Sequence, residues 1–211
     1  MNPTIFTIGR NEMNHQEFFD AHAAAGRIGL SSSPDRISRL IGFVQRHVEP
    51  DHQPGLWSHA FLLQGKRIDG QHWVIESDLS YSRRHLRLGV QENRLAKYAQ
   101  PSQFPRLQIL DFGLSQQQAD AVSAAALDLV VRRIRYSFGE CLGGVLAMRH
   151  PKLRPTHNPM AREKALFCSS FVREAFLVTG IDLCPGLAVK NTMPSDLAKS
   201  PLIRGCWELK N

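Results

Sequence analysis

Two short apolar runs, LWSHAFLL at 56–63 and HWVIES at 72–77, stand on either side of the polar segment GKRIDGQ. Each run has strand length and is rich in aromatic and branched residues, and the segment between them carries the glycines and aspartate of a turn. The pair predicts a β-hairpin with a long loop, with strands at residues 57–63 and 72–77 and a Pro54–Gly55 turn just before the first. A hairpin commits this part of the chain to antiparallel pairing. RLQILDF at 106–112 reads as a third strand.

Helical signals surround these strands. LSQQQADAVSAAALDLVVRRIRY is the clearest helix: Ser115 followed by Gln118 makes a capping box, and Ala119, Val122, Ala126, Leu129 and Val130 repeat on one face. Ser33 is placed to cap a helix that begins at Pro34 and presents Ile37, Leu40, Ile41 and Val44. HQEFFDAHAAAG makes residues 1–25 a helical extension that closes on Gly26. GVQENRLAKYAQ at 89–100 reads as a surface segment, and residues 137–162, with many glycines, prolines and histidines, as a long irregular loop. A second helix runs from near Cys168 to near Gly180, and the tail holds a short helical turn and a final strand. This order favours an α+β fold with an antiparallel sheet and helices packed against it.

At 211 residues the chain is of single-domain size. No run approaches the ~20 apolar residues of a membrane span, and the first residues lack the pattern of a leader peptide. That predicts a cytoplasmic protein, or one exported by a signal-independent route. The net charge of +7 permits an anionic partner. However, the basic residues are scattered, and the densest clusters, RRHLR at 83–87 and RRIR at 132–135, have no interleaved aromatics. A solvated basic surface is therefore expected, and no nucleic-acid partner.

The four cysteines, Cys141, Cys168, Cys184 and Cys206, are spaced by 27, 16 and 22 residues, which matches no paired zinc-ligand pattern. Free thiols are expected. Cys168 stands out in KALFCSSFVREAFLVTGIDL, at the head of the second helix. The partial positive charge at a helix N-terminus favours thiolate, and a neighbouring imidazole can hold the proton. A packed, inert thiol would suit the same position, because free cysteine is among the most buried residue types.

Nine histidines could supply the imidazole, and His59 differs from the rest in entering an apolar strand. A catalytic histidine needs an orienting acceptor. Glu76 lies on the partner strand, beside Trp73, Val74 and Ile75, and would be costly to bury unless paired. If His72 faces Leu63, Glu76 faces His59 directly across the ladder. Cys141, with His150 and His157 downstream, is a rival nucleophile, although Gly143 and Gly144 weaken a helix there. Cys184, before Pro185, and Cys206 read as structural.

Taken in order, LWSHAFLL, HWVIES, GVQENRLAKY, the capped helix, RYSF, LFCSSFVREAFLVTGIDLCP and NTMPSDLAKSP resemble the permuted NlpC-type papain-like cysteine hydrolases, the YiiX/YaeF-like amidase group. The resemblance spans roughly residues 25–203. It implies a circularly permuted papain-like domain over 26–211, with an antiparallel sheet or half-barrel packed on helices and the nucleophile at a helix N-terminus. It further implies Cys168 as nucleophile, His59 as general base, Glu76 as the group that orients it, and Tyr136 beside the oxyanion. Ser137 follows Tyr136 where the family has aspartate.

The expected chemistry is amide hydrolysis through a thioester acyl-enzyme, with no metal or organic cofactor. Peptides, peptidoglycan-derived peptides or lipid acyl groups are the implied substrates, and the 139–163 loop is expected to border the cleft. Three other readings stay open. One is a lipid acyltransferase or phospholipase of the lecithin:retinol-acyltransferase type. The others are a secreted effector and an inactive papain-like binding module.

Overall fold

Side chains alternate across a strand, so a sheet covered on both faces needs strands apolar at odd and even positions alike. The runs Ala60–Leu63, Val74–Ile75 and Leu107–Leu110 meet that condition and are buried on both sides. The computed structural model describes residues 5–9, 13–46, 53–81, 86–132, 154–155 and 167–210. Seven strands, β1 (Ile5–Gly9), β2 (Ile28–Ser32), β3 (His59–Lys66), β4 (His72–Tyr81), β5 (Leu86–Arg94), β6 (Arg106–Asp111) and β7 (Gly205–Lys210), form one sheet in the order β1-β7-β6-β2-β3-β4-β5. Among the described residues the helices are α1 (His15–His22), α2 (Arg36–Gln45), α3 (Gln116–Val131), α4 (Cys168–Leu177) and α5 (Pro194–Ala198).

One face of the sheet, with Ile28, Leu30, Leu62 and Ile75, packs on Val122 of α3 and on Phe171 and Phe176 of α4. The other, with Phe61, Leu63, Val74 and Ile109, packs on Phe18 and Phe19 of α1 and on Tyr98 of a 3-10 turn, Leu95–Tyr98. Burying each such side chain contributes about 1.5–3 kcal/mol. Between these faces Gly29 lies opposite Phe61, and a Cβ built on it would fall 2.0 Å from the Phe61 ring. Only glycine lets that ring lie flat on β2, from where it stacks on Tyr98 at 4.3 Å.

The α+β class and the two signalled helices agree with the sequence: α3 has its Ser115–Gln118 capping box, and α4 begins at Cys168. Four expectations are corrected. The sheet is mixed, because β1 runs parallel to β7. The stretch 1–25, read as a helical extension, holds α1 but also β1, a strand of the sheet. Residues 89–100, read as surface, supply most of β5 and the buried Leu95 and Tyr98. Asp35 rather than Ser33 caps α2, accepting the Ser38 N–H at 2.9 Å.

Candidate active site

His59 is the first residue of β3, opposite Ser31 of β2, and Glu76 lies in the middle of β4. The expected register is corrected: His72 pairs with Lys66, and the ladder shifts by one residue between Leu63 and Gly65. Gly65 has φ 76°, the left-handed geometry such an irregularity asks of glycine. Carried one step beyond Leu62–Ile75, this register sets Glu76 against Phe61, so His59 and Glu76 are diagonal neighbours on one face. The long glutamate still reaches the ring, with His59 Nε2 2.7 Å from Glu76 Oε2.

Glu76 is fully buried, and both of its oxygens are taken. Oε2 also accepts the Tyr98 hydroxyl, while Oε1 accepts Asn93 Nδ2 at 2.6 Å and Lys97 Nζ at 2.8 Å. Lys97 reaches on to Asp78 Oδ2 at 2.5 Å. Burial alone would push Glu76 toward the neutral acid, but the His59 hydrogen bond and the Lys97 charge outweigh it and hold the carboxyl well below the usual carboxylate range. Burial of Lys97 is likewise outweighed by the charges of Glu76 and Asp78, which raise its pKa. Tyr98 is pushed well above the ordinary phenol value, by burial and then by the charge of Glu76, so it remains a donor.

Cys168 opens α4, which packs against β3 and β4. The approach to the helix is fastened: the Phe167 N–H donates to Ser170 Oγ at 3.0 Å, and the Ser169 hydroxyl donates to the Thr192 carbonyl at 2.8 Å. The buried Arg173 fixes the next turn through Asp182, Thr192 Oγ1 and the Leu187 carbonyl. The tail motif around NTMPSD thus acts as scaffold. The Ser195 N–H donates to Gln45 Oε1 at 2.9 Å, and Gln45 Nε2 donates to the Trp57 carbonyl at 2.7 Å, two residues before His59.

With Nε2 committed to Glu76, Nδ1 is the His59 nitrogen available to the Cys168 sulfur. Burial opposes a charge on His59, but the charge and hydrogen bond of Cys168, joined by those of Glu76, outweigh it and push the imidazole up to about 10. Cys168, His59, Tyr98, Lys97 and Asp78 line a cavity of about 270 Å³. The other described thiols stand apart from it. Burial pushes Cys184 up to about 12 and Cys206 up to about 11.

These shifts set a pH window. The folded protein holds the His59 proton more tightly than the unfolded chain, so that contribution is full below the ordinary 6.5 and is lost as pH rises toward about 10. The Glu76 contribution has the opposite sign: it is full above the ordinary 4.5 and is lost as pH falls. The thermal-midpoint difference between the wild-type protein and His59→Gln is therefore expected to narrow from pH 6.5 to about pH 10, as read by scanning calorimetry. A difference that stays constant across that range would mean that the fold adds nothing to the proton affinity of the imidazole.

Of the sequence-predicted residues, His59, Glu76 and Cys168 come together. Tyr136, Cys141, His150 and His157 lie outside the described residues, as does the 139–163 loop apart from residues 154–155. Asn93, Lys97 and Tyr98 were missed. The one signal for them was the cost of burying Glu76, which demands partners without saying where they sit in the chain.

No family model matches the chain, and no curated protein matches it by sequence. Among solved structures it is similar to the crystal structure of the metalloprotein YiiX from Escherichia coli O157:H7, a DUF1105 protein. The TM-score is 0.55 at 12% identity, over 86% of this chain and 95% of that one. That is a likeness of fold, to a protein of the YiiX group that the motif order resembles. YiiX is described as a metalloprotein. Among the described residues here, no group of three or more His, Cys, Asp or Glu side chains is arranged to hold a metal ion.

Proposed function

We propose that this chain is a thiol-dependent hydrolase, amidase- or peptidase-like, built on a permuted papain-like arrangement in which the histidine strand precedes the cysteine helix. The observation that carries the reading is the relay from the buried Glu76 through His59 to Cys168, ending in an open cavity. Glu76 fixes the ring and stabilises its charged form, and the ring holds the thiol proton. The thiolate attacks an amide carbonyl carbon, and the oxyanion is met by N–H groups of the first turn of α4, which lack helical partners by position. The His59 imidazolium then protonates the leaving amine. Water, deprotonated by His59, hydrolyses the thioester and frees the acid.

The test is the pH dependence of iodoacetamide alkylation, mapped cysteine by cysteine. An unassisted thiol is almost wholly protonated at pH 6, so Cys168 is expected to react about a hundredfold faster there than Cys184 or Cys206. His59→Ala is expected to remove that advantage. Equal rates at all three thiols, or a Cys168 rate indifferent to His59→Ala, would sink the relay.

A further inference from the structure

Glu76 is held by more donors than its aim requires. His59 Nε2 and the Tyr98 hydroxyl meet Oε2, and Asn93 Nδ2 meets Oε1 at 2.6 Å. Those bonds come from β3, the 3-10 turn and β5, and together they fix both oxygens. A fourth donor, Lys97 Nζ, reaches Oε1 at 2.8 Å. It adds little to the direction of the carboxylate and a full positive charge to its surroundings.

The turn Leu95–Tyr98 is what brings that charge in. Leu95 and Tyr98 are each 1% exposed and pin the turn to the core. Lys97 and Tyr98, neighbours in sequence, take opposite oxygens of one carboxylate. The ammonium also reaches Asp78 Oδ2 at 2.5 Å, a second bond that keeps it folded over Glu76. The result is a line of alternating charge: Asp78, Lys97, Glu76, His59 and the Cys168 thiolate. Among the described residues that line the cavity, Lys97 is the only lysine or arginine. The remaining carboxylate there, Asp35, accepts the Ser38 N–H and hydroxyl at the start of α2. Without Lys97, the buried Glu76 and the nearby Asp78 would have one imidazolium between them, and the thiolate would draw on the same charge.

We infer that Lys97 is a positioning residue of the catalytic unit: it acts through Glu76, whose charge it secures, so that His59 stays an imidazolium and Cys168 a thiolate under acidic conditions. The inference rests on the thiol-hydrolase reading and extends it to the residue that sets the acid limit of the nucleophile. Without the ammonium, burial favours the neutral acid, and Glu76 takes up a proton from solvent. The imidazolium, its counter-charge gone, then returns its own proton to the sulfur.

Two measurements test it. The first is the acid limb of Cys168 alkylation by iodoacetamide, the pH at which the rate falls to half its alkaline plateau. An opposite charge at this distance moves a carboxyl by about one pH unit or more. Lys97→Met is therefore expected to raise the limb by about that much, and to lower the rate about tenfold or more at a pH below both limbs. Lys97→Gln keeps a donor without the charge and is expected to follow Lys97→Met, and it serves in place of a Lys97→Met protein that fails to fold. Lys97→Arg keeps the charge and is expected to bring the limb back close to wild type. The second measurement needs no thiol. It is the carboxyl carbon NMR shift of Glu76 in Cys168→Ala, assigned by its loss in Glu76→Gln. With Lys97 the signal is expected to stay at its ionised position from about pH 7 to about pH 4, and with Lys97→Met to move toward that of the acid.

A limb unmoved in Lys97→Met, with Cys168 still dependent on His59, overturns the role of Lys97 and leaves the thiol chemistry standing. So does a wild-type limb in Lys97→Gln, which would reduce Lys97 to a hydrogen-bond donor. A raised limb with an unmoved Glu76 signal means that the ammonium acts on the sulfur directly, and the proposal falls. A Glu76 signal that shifts in Lys97→Met beside an inert Cys168 keeps the control of Glu76 by Lys97 and overturns the hydrolase reading.

Discussion

Glu76→Ala is expected to lower stability by about 3–5 kcal/mol, the usual cost of removing one partner from a buried ion pair. For a chain of this size that is a fall in thermal midpoint of roughly 6–20 °C. The substitution removes the shared acceptor of four donors: His59 Nε2, the Tyr98 hydroxyl, Asn93 Nδ2 and Lys97 Nζ. Lys97 keeps Asp78 and can turn toward solvent, which places the loss mainly on Tyr98 and Asn93. Glu76→Gln is the informative companion. It keeps the shape and one acceptor oxygen but removes the charge and sets a donor NH2 against two of the four donors, so it is expected to recover only part of the stability and little of the Cys168 reactivity. Chemical denaturation of both variants, followed by alkylation at pH 6, separates the two roles. A Glu76→Ala protein as stable as wild type would mean that the carboxylate is no anchor.

Cys168→Ser is expected to cut hydrolysis of an activated ester such as p-nitrophenyl acetate by at least about a thousandfold, as losses of a nucleophile acting in a unit do. The change is small in volume and the site already accommodates polar neighbours, so circular dichroism and the thermal midpoint are expected to stay close to wild type. Cys184→Ala and Cys206→Ala serve as controls, because both thiols are buried away from the cavity and are expected to retain the wild-type rate. Hydrolysis that survives Cys168→Ser undiminished would have to come from another group, and the thioester mechanism would be wrong.

The features legible in the sequence were those with a local physical cause. The Ser115–Gln118 capping box marks where α3 starts, and short continuous apolar runs mark β3, β4 and β6. The features not legible depend on distant parts of the chain. β2 reads IGLSS, short and poor in strand formers, yet it is buried because β3 and β6 flank it and α3 and α4 cover it. β5 looks polar because Gln91 and Asn93 share a face with Glu76 and not with solvent. The meeting of His59 with Glu76 was foreseen on the wrong register. β3 runs on to pair Lys66 with His72, so even with the one-residue shift before Gly65 the pairing at Glu76 lies two residues from the expected one, and the length of the glutamate side chain absorbs the difference. Register is set by the ladder as a whole, and no local pattern announces a bulge.

The parallel strand β1 carries a consequence in time. Ile5 pairs with Cys206 and Gly9 with Lys210, so among the described strands β1 pairs with the one farthest from it along the chain. Closing so long a loop costs entropy that no local contact repays in advance. β2 to β6 pair among themselves, and His59 and Glu76 sit within that block. The expected order is a nascent sheet that assembles early around the histidine, followed by α4, which delivers the sulfur, and then by β7. Docking of β1 comes last, as the final stitch of maturation.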